Sequence, residues 1–226
     1  MVTVHPVLTH SWDVSPAEAR HIQRQLRERV SIAPLDRQPE IVAGIDVGVK
    51  KKRARAAVVL LSYPELTPVQ AVTAEMTVSF PYLPGLLAFR EGPVVLAAME
   101  RLEIRPDVLM FDAQGLAHPR RMGLATHLGI LLDVPAVGCA KSRLCGTYVE
   151  PADQKGSWSP LMDEDQVIGA VVRTRSRVRP VFVSVGHRVD LETALSLVLN
   201  CAVRYRLPEP TRWAHRVAAG QPLPAA

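Results

Sequence analysis

The chain has 226 residues, 48% of them apolar, which is enough to bury one sizeable core and short for two ordinary domains. Its formal charge of +5 and sequence pI of about 9.4 suit a polyanionic partner such as nucleic acid without requiring one, since many proteins carry this much charge. Cys139, Cys145 and Cys201 form neither a CxxC pair nor a zinc-ligand pattern, no apolar run reaches membrane-span length, and the N-terminus MVTVHPVLTHSWD lacks a signal-like run.

A cytoplasmic protein with reduced thiols and no membrane association is therefore expected. Residues 1–219 read as a single domain and 220–226 as a flexible tail. Ser15-Pro16-Ala17-Glu18 opens a helix: Ser15 caps, Pro16 suits the first helical position, and Glu18 completes a capping box. That helix should end before Pro34. Ile41 to Val49 reads as a strand, Lys50 to Arg55 as a basic turn, and Ala56 to Ser62 as a buried strand. Val69 to Phe80 alternates and is rich in β-branched residues, giving a third strand of an antiparallel meander.

A rigid loop, Pro81 to Pro84, precedes a helical stretch from Gly85 to Glu103 that Gly92-Pro93 should interrupt. Val108 to Phe111 reads as a strand, Ala113 to Arg121 as a loop, Met122 to Leu132 as a helix and Ala136 to Ala140 as a strand. Val167 to Thr174 and Pro180 to Val185 suggest a second hairpin, and Asp190 caps a helix reaching Arg204. The order predicts an α/β fold: a ribonuclease-H-like mixed five-stranded sheet flanked by helices, with an added hairpin. Ligands of such sheets favour strand carboxyl ends.

Asp46 lies inside the apolar strand VAGIDVG, where an unpaired carboxylate is costly to bury. A structural aspartate bonded to a turn explains it equally well from this segment alone. Asp112 closes the strand VLMFD, and if the two strands are neighbours the carboxylates converge and suit magnesium. Glu91 stands among apolar residues beside a Gly-Pro pair, although a helical glutamate is usually solvated. His215 can act as a base, though a histidine near a C-terminus is more often a bystander, and the same bland reading applies to His118. Tyr82, between Pro81 and Pro84, is a rigid aromatic that can wedge between bases or simply pack under its loop. Arg120 and Arg121 can hold phosphate or be solvated surface charge, and Lys141 begins another cationic turn.

Together, FPYLPGLLAFREGP, FDAQGLAHPRRMGLATHLG, GCAKSRLCGT, LPEPTRWAH and IVAGIDVGV resemble the signature blocks of the endonuclease V family, in order, from about Ile41 to His215. The resemblance implies a ribonuclease-H-like deoxyinosine 3′ endonuclease. Such an enzyme uses Mg2+, for which Mn2+ substitutes, and cuts the second phosphodiester bond 3′ of the lesion. It implies a catalytic set of Asp46, Glu91, Asp112, Lys141 and His215, with Asp46 and Asp112 as direct metal ligands. It makes Tyr82 the strand-separating wedge, flanked by Pro81, Leu83 and Pro84. The implied base pocket then falls on Gly85, Leu87, Gly115, Gly123, Leu124 and Leu144, and the cationic loop adds His118, Arg120 and Arg121 as candidate nucleic-acid contacts. Ala113 stands where the family often has Gly, and its methyl group narrows the base pocket. The expected partner is DNA bearing deoxyinosine or other deaminated bases, bound by a monomer. The alternative is an inosine-specific endoribonuclease, and a binding module with structural acidic residues is a further reading.

Overall fold

The computed structural model describes residues 4–223, so the tail expectation for residues 224–226 lies outside them. Helix α1 (Pro16–Arg27) starts as its sequence dictates. The Ser15 hydroxyl accepts from the Glu18 backbone N–H, and the Glu18 carboxylate accepts from the Ser15 N–H at 2.7 Å. Strands β1 (Ile41–Lys50), β2 (Arg53–Ser62) and β3 (Pro68–Thr77) form the expected meander. The turn between β1 and β2 is shorter than the sequence suggests. Lys50 pairs with Arg53, so only Lys51 and Lys52 lie outside the strands.

The continuous apolar run of β2 has a simple cause: both of its faces are covered. Ala54, Ala56, Val58 and Leu60 face the core shared with helix α2 (Leu87–Met99). Ala57, Val59 and Leu61 pack against Ala214, Val217 and Ala218 of helix α5 (Glu209–Ala218). Gly92-Pro93 does not interrupt α2, contrary to expectation; Pro93 sits inside it. Flanking Ala88, Phe89, Val94 and Val95 are buried, and their packing offsets the missing backbone bond.

Strand β4 (Val108–Phe111) runs parallel to β1, and β5 (Ala136–Ala140) parallel to β4, with helix α3 (Leu124–Leu132) between them. The expected hairpin is β7 (Gln166–Val172) with β8 (Val181–His187), and β8 joins the sheet antiparallel to β5. A further edge strand, β6 (Trp158–Asp163), has no counterpart in the sequence reading. Its Pro160 and its 51%-exposed Trp158 hide a strand pattern, and an edge tolerates both. The eight strands form one sheet in the order β3-β2-β1-β4-β5-β8-β7-β6, so the five ribonuclease-H-like strands are extended by three. Asp190 caps helix α4 (Leu191–Cys201), which covers a second core containing Val42, Met110 and Cys139. Within the expected tail, Gln221 accepts from Arg216 at 2.8 Å and Leu223 packs against the cluster that β2 forms with α5.

Candidate active site

Parallel pairing of β1 and β4 matches Ile45 with Phe111, which puts the next residues, Asp46 and Asp112, side by side. The Asp112 N–H donates to the Ile45 carbonyl at 3.3 Å and continues the ladder. Lys141, the first residue after β5, extends its ammonium onto the Asp112 carboxylate. From α5, His215 donates through Nδ1 to Asp46 Oδ2 at 2.9 Å. Gly44 makes that docking possible. A β-carbon there would lie 1.9 Å from the Pro210 carbonyl oxygen, so only glycine lets the start of α5 approach β1. Five residues that the resemblance implies are thus carried by β1, α2, β4, the end of β5 and α5.

Charge is concentrated here. Burial, then the Asp46 charge, with Asp112 adding and Arg90 opposing, push the Glu91 carboxyl up to about 8. Burial also raises Asp112, against the lowering effect of Lys141. The Asp46 charge raises both Glu91 and Asp112, and carboxylates gathered in this way mark a place where a cation would be stabilised. The donors are oxygens, which match a hard divalent ion that keeps part of its water shell. Among the described residues no three His, Cys, Asp or Glu side chains form a closed ligand cluster. The fit is therefore to an ion held by two carboxylates, as Mg2+ often is, and not to a zinc cage.

Beside the carboxylates opens a cavity of about 350 Å³, lined by Gly85, Leu87, Asp112, Ala113, Gly123, Leu124, Lys141 and Leu144 among others. Tyr82 stands at its rim, 69% exposed, with Leu83 and Pro84. The loop carrying Tyr82 is anchored at both ends. Phe80 and Leu86 are buried, Phe80 and Phe89 rings lie 5.6 Å apart, and Arg90 donates to the Phe80 carbonyl at 3.1 Å. A larger cleft of about 700 Å³ lies at the opposite ends of β1, β4 and β5. Its charges are largely self-paired, Arg37 with Asp107 and Arg188 with Asp133, each at 2.7 Å, and it lies away from the carboxylates.

Three expected contact residues are engaged within the fold. His118 is buried, and burial with Arg120 and Arg121 nearby lowers it to about 4. Its Nδ1 accepts from the Arg120 N–H at 3.1 Å, so Nε2 donates to the Gly85 carbonyl at 3.0 Å. Arg120 donates to the same carbonyl at 2.6 Å and to the Gln23 amide oxygen at 2.6 Å. Arg121 pairs with Asp163 at 2.7 Å and donates to the His118 carbonyl at 2.9 Å. Both arginines brace the pocket wall. Gly115 lies outside the pocket lining: its N–H donates to Ser184 Oγ at 2.8 Å, and a β-carbon would meet the Val185 carbonyl oxygen at 2.1 Å.

The sequence reading missed two positioning groups. Gln114 donates to the Ser142 carbonyl at 2.8 Å, and Arg206 donates to the Lys141 carbonyl at 2.6 Å. Together they fix the turn that presents Lys141. The Gln114 signal lay in its position two residues after Asp112; Arg206 gave none, since its target is a backbone atom distant in sequence.

Comparison with known proteins points to one family. The family profile described as Endonuclease V matches residues 24–216. Endonuclease V of Methanothrix thermoacetophila is 55% identical over 206 residues, covering 91% of this chain and 92% of its own. The crystal structure of endonuclease V from Streptomyces avermitilis superposes with a TM-score of 0.89 at 42% identity, covering 97% of each chain. Ciona intestinalis endonuclease V, in complex with a 24mer DNA containing an inosine followed by a ribo-adenosine, is 29% identical. Its TM-score is 0.77, over 90% of this chain and 96% of that one. With the profile spanning the residues that carry the paired carboxylates, the loop tyrosine and the helical histidine, the chain belongs to the endonuclease V family.

Proposed function

We propose that the protein is a divalent-metal-dependent nuclease that recognises deaminated bases in DNA, chiefly hypoxanthine, and hydrolyses the second phosphodiester bond 3′ of the lesion. The observation that carries this reading is adjacency: Asp112 and Lys141 belong both to the acidic centre and to the cavity beside it. A base seated in the cavity therefore keeps its own strand against the carboxylates. The inosine-containing DNA bound by the Ciona relative supports the same substrate class.

Tyr82 fills the gap left when a base leaves the stack, and its anchored loop keeps the ring in place. Extrusion costs least where pairing is already poor, which favours lesions over normal pairs. The pocket walls at Gly85, Gly123 and Ala113 then enclose the base, with the Ala113 methyl group limiting its size. Asp46 and Asp112 would hold Mg2+, or Mn2+ in its place, with Glu91 and His215 flanking. Such an ion supplies Lewis-acid polarisation of the phosphoryl group and a more acidic water. Lys141 opposes the burial that raises Asp112 and offers a cation to the phosphate.

Cleavage of inosine in RNA is a second reading, favoured by the ribo-adenosine that follows the inosine in the Ciona complex. One assay tests both. Matched strands carrying deoxyinosine, inosine in RNA, uracil, an abasic site or no lesion are incubated with Mg2+ or with excess chelator, and products are sized. Cutting of deoxyinosine strands one nucleotide beyond the lesion, abolished by chelator, is expected. Equal cutting of undamaged strands, or full activity in chelator, would overturn the proposal.

A further inference from the structure

We propose that the tip of the β1–β2 hairpin, Lys50, Lys51 and Lys52, is a phosphate-binding arm that grips the duplex backbone on the 3′ side of the cut. This rests on the function proposed above. Five cations fall within residues 50–55, and the carboxylate facing them is Glu75, which lies 2.9 Å from Arg53 and 3.8 Å from Arg55. Lys50, Lys51 and Lys52 are exposed, and among the described residues none of the three forms an ion pair.

The backbone gives an independent reason. Lys51 and Lys52 both have left-handed backbones, with φ of 47° and 63°. A two-residue turn of this mirror-image type is the usual place for Asn-Gly, because a β-carbon is strained there. Two lysines occupy it at a cost in stability; the Lys52 carbonyl accepts from the Val78 N–H at 2.7 Å, but among the described residues no carboxylate pairs with either ammonium. Strain retained in this way points to a contact made with something else.

Position identifies the contact. Asp46, Gly48 and Lys50 alternate onto one face of β1, and four residues of strand span about 13 Å. Phosphates recur about every 3.4 Å of helix axis on each strand but also wind around that axis, so a straight reach of about 13 Å brings the tip to a phosphate roughly two nucleotides beyond the scissile one. The base cavity lies toward the ends of β4 and β5, whereas the hairpin lies on the β1–β2 side, with the acidic centre between them. A strand whose lesion fills the cavity and whose cut lies 3′ of it runs on toward the hairpin.

The test compares wild type with the triple variant Lys50→Ser, Lys51→Asn, Lys52→Gly, whose Asn-Gly turn suits the same backbone and should melt no lower. Binding to plain and deoxyinosine duplexes is titrated across salt concentrations. The slope of log Kd against log salt should become shallower by about two to three, and Kd should rise about tenfold or more for both duplexes. Truncating the duplex to about three base pairs 3′ of the lesion should bring wild type to the variant's affinity, given the spacing above. Truncation on the 5′ side should leave the difference intact. An unchanged salt slope would overturn the arm, and equal sensitivity to both truncations would overturn its placement. Failure of wild type to cut deoxyinosine strands would instead remove the proposed function, while the salt slopes on plain duplex still decide whether the hairpin holds phosphate.

Discussion

His215 Nδ1 and Asp46 Oδ2 stand 2.9 Å apart although 169 residues separate them along the chain. The contact exists because α5 lies directly on β1, and it can do so because Gly44 presents no β-carbon to Pro210. Gly44→Ala should therefore push the start of α5 outward and carry His215 off Asp46. We expect a loss of stability of about 1–3 kcal/mol, the usual cost of overpacking. We also expect cleavage to fall more steeply than the folded fraction does. Thermal unfolding alongside single-turnover cleavage checks this; a variant with wild-type melting and wild-type rate would show that α5 docks without needing the glycine.

Asp46→Ala and Asp112→Ala should each lower cleavage by about a hundredfold or more, since each removes charge from the place where the phosphoryl group must be polarised. Neither should unfold the protein. Asp46 and Asp112 both raise the Glu91 carboxyl, so removing either relieves repulsion in the metal-free state. Circular dichroism and melting in chelator should find folded variants at or near wild-type stability, with Glu91 titrating lower in each.

Tyr82 should matter for opening a duplex more than for hydrolysis. Its ring is 69% exposed on a loop anchored by Phe80, Leu86 and Arg90, so it has little core to lose. Tyr82→Ala should slow cutting of double-stranded deoxyinosine substrates by about tenfold or more, consistent with about 1–3 kcal/mol of stacking per base, and slow single-stranded substrates less. Tyr82→Phe should retain most activity because stacking uses the ring. Equal slowing of both substrates by Tyr82→Ala would place the tyrosine in the base pocket instead.

Arg120 should behave as a brace. Its guanidinium already serves the Gly85 carbonyl and the buried Gln23 amide oxygen; in Arg120→Ala the carbonyl keeps His118 and Gln23 as donors, but the Gln23 oxygen loses its partner at a cost of about 1–3 kcal/mol. The expected signature is reduced preference for deoxyinosine duplex over plain duplex, with an unchanged salt slope. A salt slope shallower by about one would instead mark a direct phosphate contact.

Stability should fall on acidification from about pH 6.5 toward pH 4. Burial lowers His118 to about 4 and His127 to about 3 in the folded protein, from 6.5 for the free side chain. Between these values the unfolded chain binds more protons, so stability rises with pH, by about 1.4 kcal/mol per unit per histidine. His10 and His187 are shifted in the same direction. Glu91 acts oppositely: raised to about 8, it contributes stability that is present at low pH and fades as pH climbs from 4.5. Denaturant titrations at pH 4.5, 5.5 and 6.5 should show the histidine trend prevailing. His127→Gln should flatten the slope, and Glu91→Gln should steepen it.

Local rules were enough for much of this protein. The Ser15 box, the Asp190 cap, the alternation of β3 and the unbroken apolar run of β2 are each set by neighbours within a few residues, which is the range over which capping and periodicity act. The ordered blocks from Ile41 to His215 likewise pointed to the family and to Asp46 and Asp112 as a pair. What the sequence alone left open was every question of which distant atoms meet. An arginine beside a glycine-rich loop reads the same whether it faces solvent or a carbonyl, and only packing turned Arg120 toward Gly85. Pro93 reads as a break until the core around α2 outweighs its missing bond, and β6 reads as loop until an edge accepts Pro160. The meeting of Asp46 with Asp112 depended on parallel register, and that of Asp46 with His215 on the absence of one β-carbon. Register and close approach are properties of two segments together, so neither segment's own sequence carries them.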